Sequence, residues 1–434
     1  MRSAIVHEGV KHLEYEIRQI VDFGSELQRL GVPMTWENIG DPIAMGEQVA
    51  PWIREILEEL VRDNDSWAYC PSRGVLAARE ALAREINRRG GVQATPDDIL
   101  FFNGVADAVD KIYDLIRKDA RVLMQSPSYP THTSNEAKRG DYERLQFHLD
   151  PRNDWQPDLD EIRHYLKYNP QIVAIALVNP DNPTGMVYPR DTLREIVEIA
   201  RRNRVFLICD EIYVHIAYNG AERCHISEVA EDVPALALRG ISKEYPWPGS
   251  RCGWVEMLNA GRDPDFRAYC DALVKAKMME VCSTTLPQLS IAKIYSDPRY
   301  QPHLAMREKM FETRANETYE TFRAVKHLKV SRPRGAFYFS ALFEPGILND
   351  RQTLPIENAK ARAKVEEKVR GVPFDKRFVY YLMASEGICV TPLSSGFHCD
   401  LPGFRLTTLR MDDGKRRETQ GRIARAVEAY IASA

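Results

Sequence analysis

Apolar residues first recur at helical spacing in residues 11–30, where Leu13, Ile17, Ile20, Val21, Leu27 and Leu30 are separated by charges. That spacing predicts an amphipathic N-terminal helix. The turn-rich run NIGDPIAMG (38–46) follows, and helical patterns then occupy about 50–90, stopping at Arg88-Arg89-Gly90-Gly91. From 98 to 258 the period changes. Short apolar runs, DILFF, RVLMQ, IVAIALV, VFLICD, ALALRGIS and GWVEML, alternate with amphipathic helical stretches. Such alternation predicts an α/β fold, a mostly parallel sheet flanked by helices.

Beyond residue 286 the pattern is helical to about 325, and LKVSRPRGAFYFSALF then reads as strand, turn and strand. Residues 345–375 are polar and carry no assignable period. GICVTP and GFRLTTL read as strands and the last twenty residues as a helix. The expected organisation is a large domain over 51–310 and a smaller α+β domain built from 1–50 and 311–434.

The 434 residues, 44% of them hydrophobic, suffice for two such cores. With 59 basic against 62 acidic residues, the net charge of -3 gives no field for nucleic acid or an anionic membrane. Eight cysteines without a C-x-x-C pair suggest reduced thiols and a cytoplasmic protein. His7, Glu8 and Lys11 interrupt the N-terminus before a signal-peptide core could build, and the apolar run 172–178 is too short to span a bilayer. The ten histidines show no metal-binding spacing, so no metal is expected. RRNR (201–204) and KRR (415–417) read as solvated helix faces.

Parallel sheets place functional groups on the loops at strand carboxyl ends, which directs attention to three segments. Asn179-Pro180-Asp181-Asn182-Pro183-Thr184-Gly185 follows a buried-type strand, and its two Asn-Pro steps fix a non-helical turn; taken alone it is an ordinary turn. Asp210 ends VFLICD and precedes Glu211, Ile212 and Tyr213; a helix N-cap is its plain structural role. Ser242-Lys243 follows ALALRGI, with Arg251 in GSRCGW close behind. A lysine in a cleft is desolvated, which lowers its pKa and frees a nucleophilic amine, though surface lysines are commoner.

The ordered combination NPDNPTG, DEIY and SKEYPWPGSRCGW resembles class I and II aminotransferases, pyridoxal 5′-phosphate (PLP) enzymes of fold type I. The resemblance implies that Lys243 carries PLP as a Schiff base, that Asp210 pairs with the pyridine nitrogen, and that Asn182 and Tyr213 meet its 3′-oxygen. Gly104, Val105 and Ala106 of NGVADAV would open a phosphate-binding helix, with Ser242 and Arg251 beside it. Tyr129 of PSYP would stack on the ring, and Tyr69 of YCPSRG would reach the cofactor phosphate of a neighbouring subunit, implying a homodimer. Arg405 of FRLTTL resembles the arginine that pairs with the substrate α-carboxylate, Gly40 of NIGDP the glycine that meets the same group, and Asn182 is a candidate substrate contact as well.

Two positions depart from the family pattern: Ala106 and Gly240 stand where many relatives carry hydroxyls. The turn PLSSGF is also longer than usual. YEIRQ, YCPSRG and FRLTTL look most like alanine-type enzymes, which makes Tyr15 and Arg18 candidate substrate contacts on an N-terminal lid. The implied reaction moves an amino group from an L-amino acid to a 2-oxo acid, with Lys243 as the proton carrier. A β-elimination lyase of the same fold is the alternative, and a non-catalytic PLP-binding regulator a further one.

Overall fold

A computed structural model of the chain describes residues 6–13, 15–140 and 142–434. The first five residues, read above as part of the N-terminus, lie outside that range, as do Glu14 and Asp141. Eight strands form the main sheet: β1 (Ile99–Phe102), β2 (Arg121–Ser126), β3 (Gln146–Asp150), β4 (Gln156–Pro157), β5 (Ile172–Val178), β6 (Phe206–Asp210), β7 (Ala235–Gly240) and β8 (Gly253–Leu258). Their order across the sheet is β1-β8-β7-β6-β5-β2-β3-β4. Strands β7, β6, β5, β2 and β3 pair in parallel; β8 runs antiparallel to both its neighbours and β4 antiparallel to β3.

Each of the six apolar runs read from the sequence contains a strand. The period of two inside β5 explains why its residues are apolar throughout: Ile175 and Leu177 join one buried cluster with Leu193, Ile196 and Leu207, while Ala174 and Ala176 join another with Ile112, Val122 and Val255. Strands β3 and β4 lie at the sheet's edge, where exposed His148 breaks the apolar signal. The run ALALRGIS is not strand to its end. β7 stops at Gly240 and the chain coils into a helical turn, Ile241–Glu244, that presents Lys243.

A second layer has a four-stranded antiparallel sheet, β9 (Leu328–Val330), β10 (Tyr338–Phe343), β11 (Thr391–Pro392) and β12 (Gly403–Thr407), in the order β9-β10-β12-β11. Ile20, Phe23 and Leu27 of the helix Glu16–Arg29 pack into the same core as Phe339, Phe378, Phe404 and Tyr430. The patternless stretch contains a helix, Ala359–Lys368, capped by the Asn358 side chain, which accepts from the backbone N–H groups of Lys360 and Ala361. It buries only Ala361 and Val365, too narrow a stripe to register as a period. PLSSGF coils into the short helix Leu393–Phe397. Arg416 corrects the reading of KRR as a solvated face, since it is buried and paired with Glu317 and Asp413. Among the described residues, no helix is long and apolar enough to cross a membrane.

Phe378 is fully buried, with ring centroids of Phe343, Phe404 and Tyr430 at 5.3, 5.6 and 5.2 Å. Truncating it removes contacts with three aromatic neighbours. Phe378→Ala is expected to destabilise the chain by about 3–5 kcal/mol. Urea unfolding followed by circular dichroism checks this, through a lower midpoint of the transition that reports this layer.

Candidate active site

The carboxyl ends of β2, β5, β6 and β7 open into one cavity of about 620 Å³ between the two layers. Tyr129 follows β2, Asn182 follows β5, Asp210 ends β6 and Lys243 follows β7, so four loops distant in sequence deliver side chains to one place. Tyr15, Arg18, Gly40, Val105, Ala106, Tyr213, Ser242, Arg251 and Arg405 complete the candidates that line it. Gly104 sits immediately behind Val105 as the N-cap of the helix Val105–Leu115. Tyr69 is not there. It is 85% exposed outside this cavity, on a segment where Ala68 O accepts a 2.7 Å hydrogen bond from Thr285 Oγ1.

The turn after β5 is held from within. Buried Asp181 accepts from Gln125 Nε2 at 2.6 Å and from the backbone N–H of Thr184 at 3.0 Å, which fixes the loop that carries Asn182. The Asn182 Oδ1 atom is buried without a hydrogen-bond partner. A polar atom left so in a cavity wall is costly unless a ligand completes it.

Asp210 is braced by a residue that sequence reading missed. His132 Nε2 lies 3.1 Å from Asp210 Oδ2, and His132 Nδ1 lies 3.4 Å from the Tyr113 hydroxyl. In the sequence His132 is a lone histidine with no motif, and only the turn of helix Pro130–Lys138 brings it under β6. Tyr338 was missed in the same way, as one aromatic in an apolar strand. Its hydroxyl is 2.8 Å from that of Tyr213, and its ring lies 4.7 Å from the Arg405 guanidinium carbon. A Cβ at Gly40 would come within 2.4 Å of the Tyr338 hydroxyl, so a side chain there would have to displace the Tyr338 ring.

Arg405 is buried on β12, and its Nη2 donates to Asn38 O and Thr391 Oγ1, both at 2.9 Å, while Nε has no partner. The Asn38 side chain lines the cavity with both its polar atoms buried and unpartnered. Tyr15 closes one side: its hydroxyl is 2.9 Å from that of Tyr129, and burial raises its pKa. Arg18, one turn further along the same helix, is exposed at the cavity rim.

At the opposite end, Gly104 has φ +89°, and a Cβ there would fall 2.4 Å from Arg251 Nη2. The arginine thus packs directly against the start of the helix. Free N–H groups, a positive helix end and a guanidinium form a cradle suited to a dianion without the hydroxyl that Ala106 lacks. Lys243 Nζ donates to Gly40 O. Burial is the main cause that brings its pKa down from 10.5 to about 8; the Arg251 and Arg307 charges add to this and Asp41 opposes it. The cavity therefore joins a readily neutralised amine, a braced carboxylate, an anion cradle and a buried guanidinium.

Comparison with known proteins gives the family and the fold. The family "Aminotransferase class I and II" matches residues 38–423, and the chain belongs to that family. It is a transferase of PLP fold type I, and the family's cofactor is pyridoxal 5′-phosphate. The chain is 46% identical to an uncharacterised aminotransferase of Methanocaldococcus jannaschii, over 99% of this chain and all of that one. It is 31% identical to the glutamate-pyruvate aminotransferase of Escherichia coli, over 75% of this chain and 79% of that protein. The solved alanine aminotransferase of Pyrococcus furiosus superposes with a TM-score of 0.83 at 25% identity, covering 98% of this chain and 99% of that one.

The Lys243 environment sets a pH dependence. A lysine pKa depressed to about 8 means that the neutral amine fraction rises with pH and levels off above that value. Capture of PLP by cofactor-free protein is expected to accelerate with pH and reach half its plateau rate near pH 8, read from the absorbance of the bound cofactor. An unshifted lysine would still be accelerating near pH 10.

Proposed function

We propose that this chain transfers the amino group of a small neutral L-amino acid such as alanine to 2-oxoglutarate, as a cytoplasmic homodimer with Lys243 holding the cofactor. The observation that carries the reading is the convergence of Lys243, Asp210, Asn182, Tyr213 and Arg405 on one cavity. Bound PLP supplies an electron sink for the bond-breaking at the donor Cα. Asp210 keeps the pyridine nitrogen protonated, and His132 holds that carboxylate in place. Asn182, through its amide N–H, and Tyr213, whose hydroxyl is held by Tyr338, donate to the ring's 3′-oxygen. The Gly104–Ala106 helix start, Ser242 and Arg251 hold the phosphate.

Lys243, once its amine is free, takes the proton from the donor Cα and returns it on the cofactor side. Gly40 O stands against that amine and orients it. Arg405 holds the α-carboxylate, which every donor and acceptor shares, and its unpartnered Nε provides a second donor atom for bidentate contact. A dicarboxylate acceptor needs a further cation. Arg18 at the rim has no ion pair among the described residues and supplies it, while Tyr15 and Tyr129 close the space beside it to large side chains. The names of the alanine-type relatives support this substrate class.

With alanine and 2-oxoglutarate the protein is expected to form glutamate and pyruvate in equal amounts with no free ammonia. Ammonia release without an acceptor would identify a lyase instead. Arg18→Ala is expected to raise KM for 2-oxoglutarate about tenfold and to leave KM for alanine near its original value.

The dimer rests on Tyr69, which is exposed outside its own cavity together with Trp67, on a segment that Ala68 and Cys70 tie to Thr285 and Ser283, just after exposed Met279 and Val281. A second copy would cover these apolar groups and receive the tyrosine at its cofactor phosphate. Mixing Lys243→Ala subunits with weakened Tyr69→Ala subunits is expected to restore activity above that of either alone, through hybrids with one intact site. A fully active monomer in sedimentation would exclude the shared site.

A further inference from the structure

Arg307 lies outside the cavity wall and in no motif, on the long helix Tyr300–Arg323, yet it is 2% exposed. Its Nε and Nη2 donate to the two carboxylate oxygens of Glu47 at 2.6 and 3.1 Å. Its Nη1 donates to the backbone carbonyls of Lys243 and Glu244, both at 2.7 Å. The turn Ile241–Glu244 is too short to satisfy its own last carbonyls, and Arg307 supplies their donors.

Glu47 ends the tight loop that begins near Asn38, with Met45 N–H on Asp41 O and Glu47 N–H on Pro42 O. Gly40, in that loop, accepts from Lys243 Nζ. The loop therefore grips one lysine at both ends, the amine through Gly40 and the main chain through Glu47 and Arg307. A fully buried pair of this kind is a weak source of stability, because desolvation offsets its attraction. Its geometry has a clearer consequence for placement.

We infer that Arg307 and Glu47 are positioning residues that lock the Lys243 turn to the substrate-contact loop, so that the amine meets the donor Cα at a fixed distance and direction. The inference rests on Lys243 being the cofactor lysine. Small displacements of a reacting group cost up to about a hundredfold in rate, which is the scale at which such a brace acts.

The charges around the amine make a structural role distinguishable. Asp41 faces Lys243 from the loop, Arg251 from the following turn and Arg307 from the long helix, with Asp210 and Tyr213 across the cavity. Arg307→Gln removes a cation and is expected to raise the pH midpoint of PLP capture by cofactor-free protein. Glu47→Gln leaves the Arg307 charge uncompensated and is expected to lower it. Arg307→Lys and Glu47→Gln are both expected to reduce the single-turnover rate with alanine about tenfold to a hundredfold, with KM changed by less than about threefold.

Arg314→Lys serves as the control. Arg314 is a buried arginine of the same helix, 3.0 Å from Asp413, and its variant is expected to lower Tm without moving the capture midpoint. If Arg307→Lys and Glu47→Gln keep the wild-type single-turnover rate and lose only Tm, as that control does, the brace is overturned. Should Arg307→Gln fail to fold, those two variants decide. Should alanine prove not to be a donor, the single-turnover comparison is made with the amino acid that the protein does accept, and only the substrate reading falls. Capture of reducible PLP by Lys243→Ala would remove both the lysine assignment and the brace.

Discussion

Everything in the cavity depends on four parallel strands ending at one edge. β2, β5, β6 and β7 run the same way, so their following loops open on the same side, and Tyr129, Asn182, Asp210 and Lys243 meet without any of them being near another in sequence. Burial of the strands on both faces fixes their register. A one-residue slip would exchange the Ile175 and Leu177 face for the Ala174 and Ala176 face and break both cores. The site's geometry is therefore tied to apolar packing that takes no part in chemistry.

That dependence explains what was legible beforehand. The strands could be read because β5 and its neighbours are apolar throughout, and the residues at their ends could be read because Asn-Pro steps and a strand-terminal Asp210 stand out against apolar runs. His132 and Tyr338 could not. Each is defined by a partner 78 or 125 residues away, Asp210 and Tyr213 respectively, and nothing local distinguishes a bracing histidine from a core one. The helix Ala359–Lys368 escaped for the opposite reason, since its contact is so narrow that polar residues dominate its sequence. Arg416 misled because charge in a sequence implies water, whereas here Glu317 and Asp413 supply the counter-charge that burial requires.

The cavity divides its work between the two layers. Asn182, Asp210, Lys243 and Arg251 come from the main sheet and its loops, whereas Arg405 comes from β12 and Tyr15 and Arg18 from the helix Glu16–Arg29, which shares the second layer's core. The charged groups assigned to the cofactor thus sit on one body and the charged groups assigned to the substrate on the other. Under the proposed assignment, recognition of the substrate carboxylates depends on how the layers sit against one another.

Such a division needs a part that belongs to both. The helix Tyr300–Arg323 is that part: Phe322 packs in the second layer's core, Leu304 packs in the core around Trp254, and Arg307 between them reaches the Lys243 turn. Burying charge along this helix is acceptable because each guanidinium is satisfied by a carboxylate and by carbonyls at once, Arg307 with Glu47 and Arg314 with Asp413. Replacing these pairs with apolar side chains would cost little packing, but it would remove the directional contacts that tell the two layers where to stop. Apolar surfaces slide; a bidentate guanidinium on a carboxylate does not. The polar contacts at this junction therefore tie the Lys243 turn to a helix that is anchored in both cores.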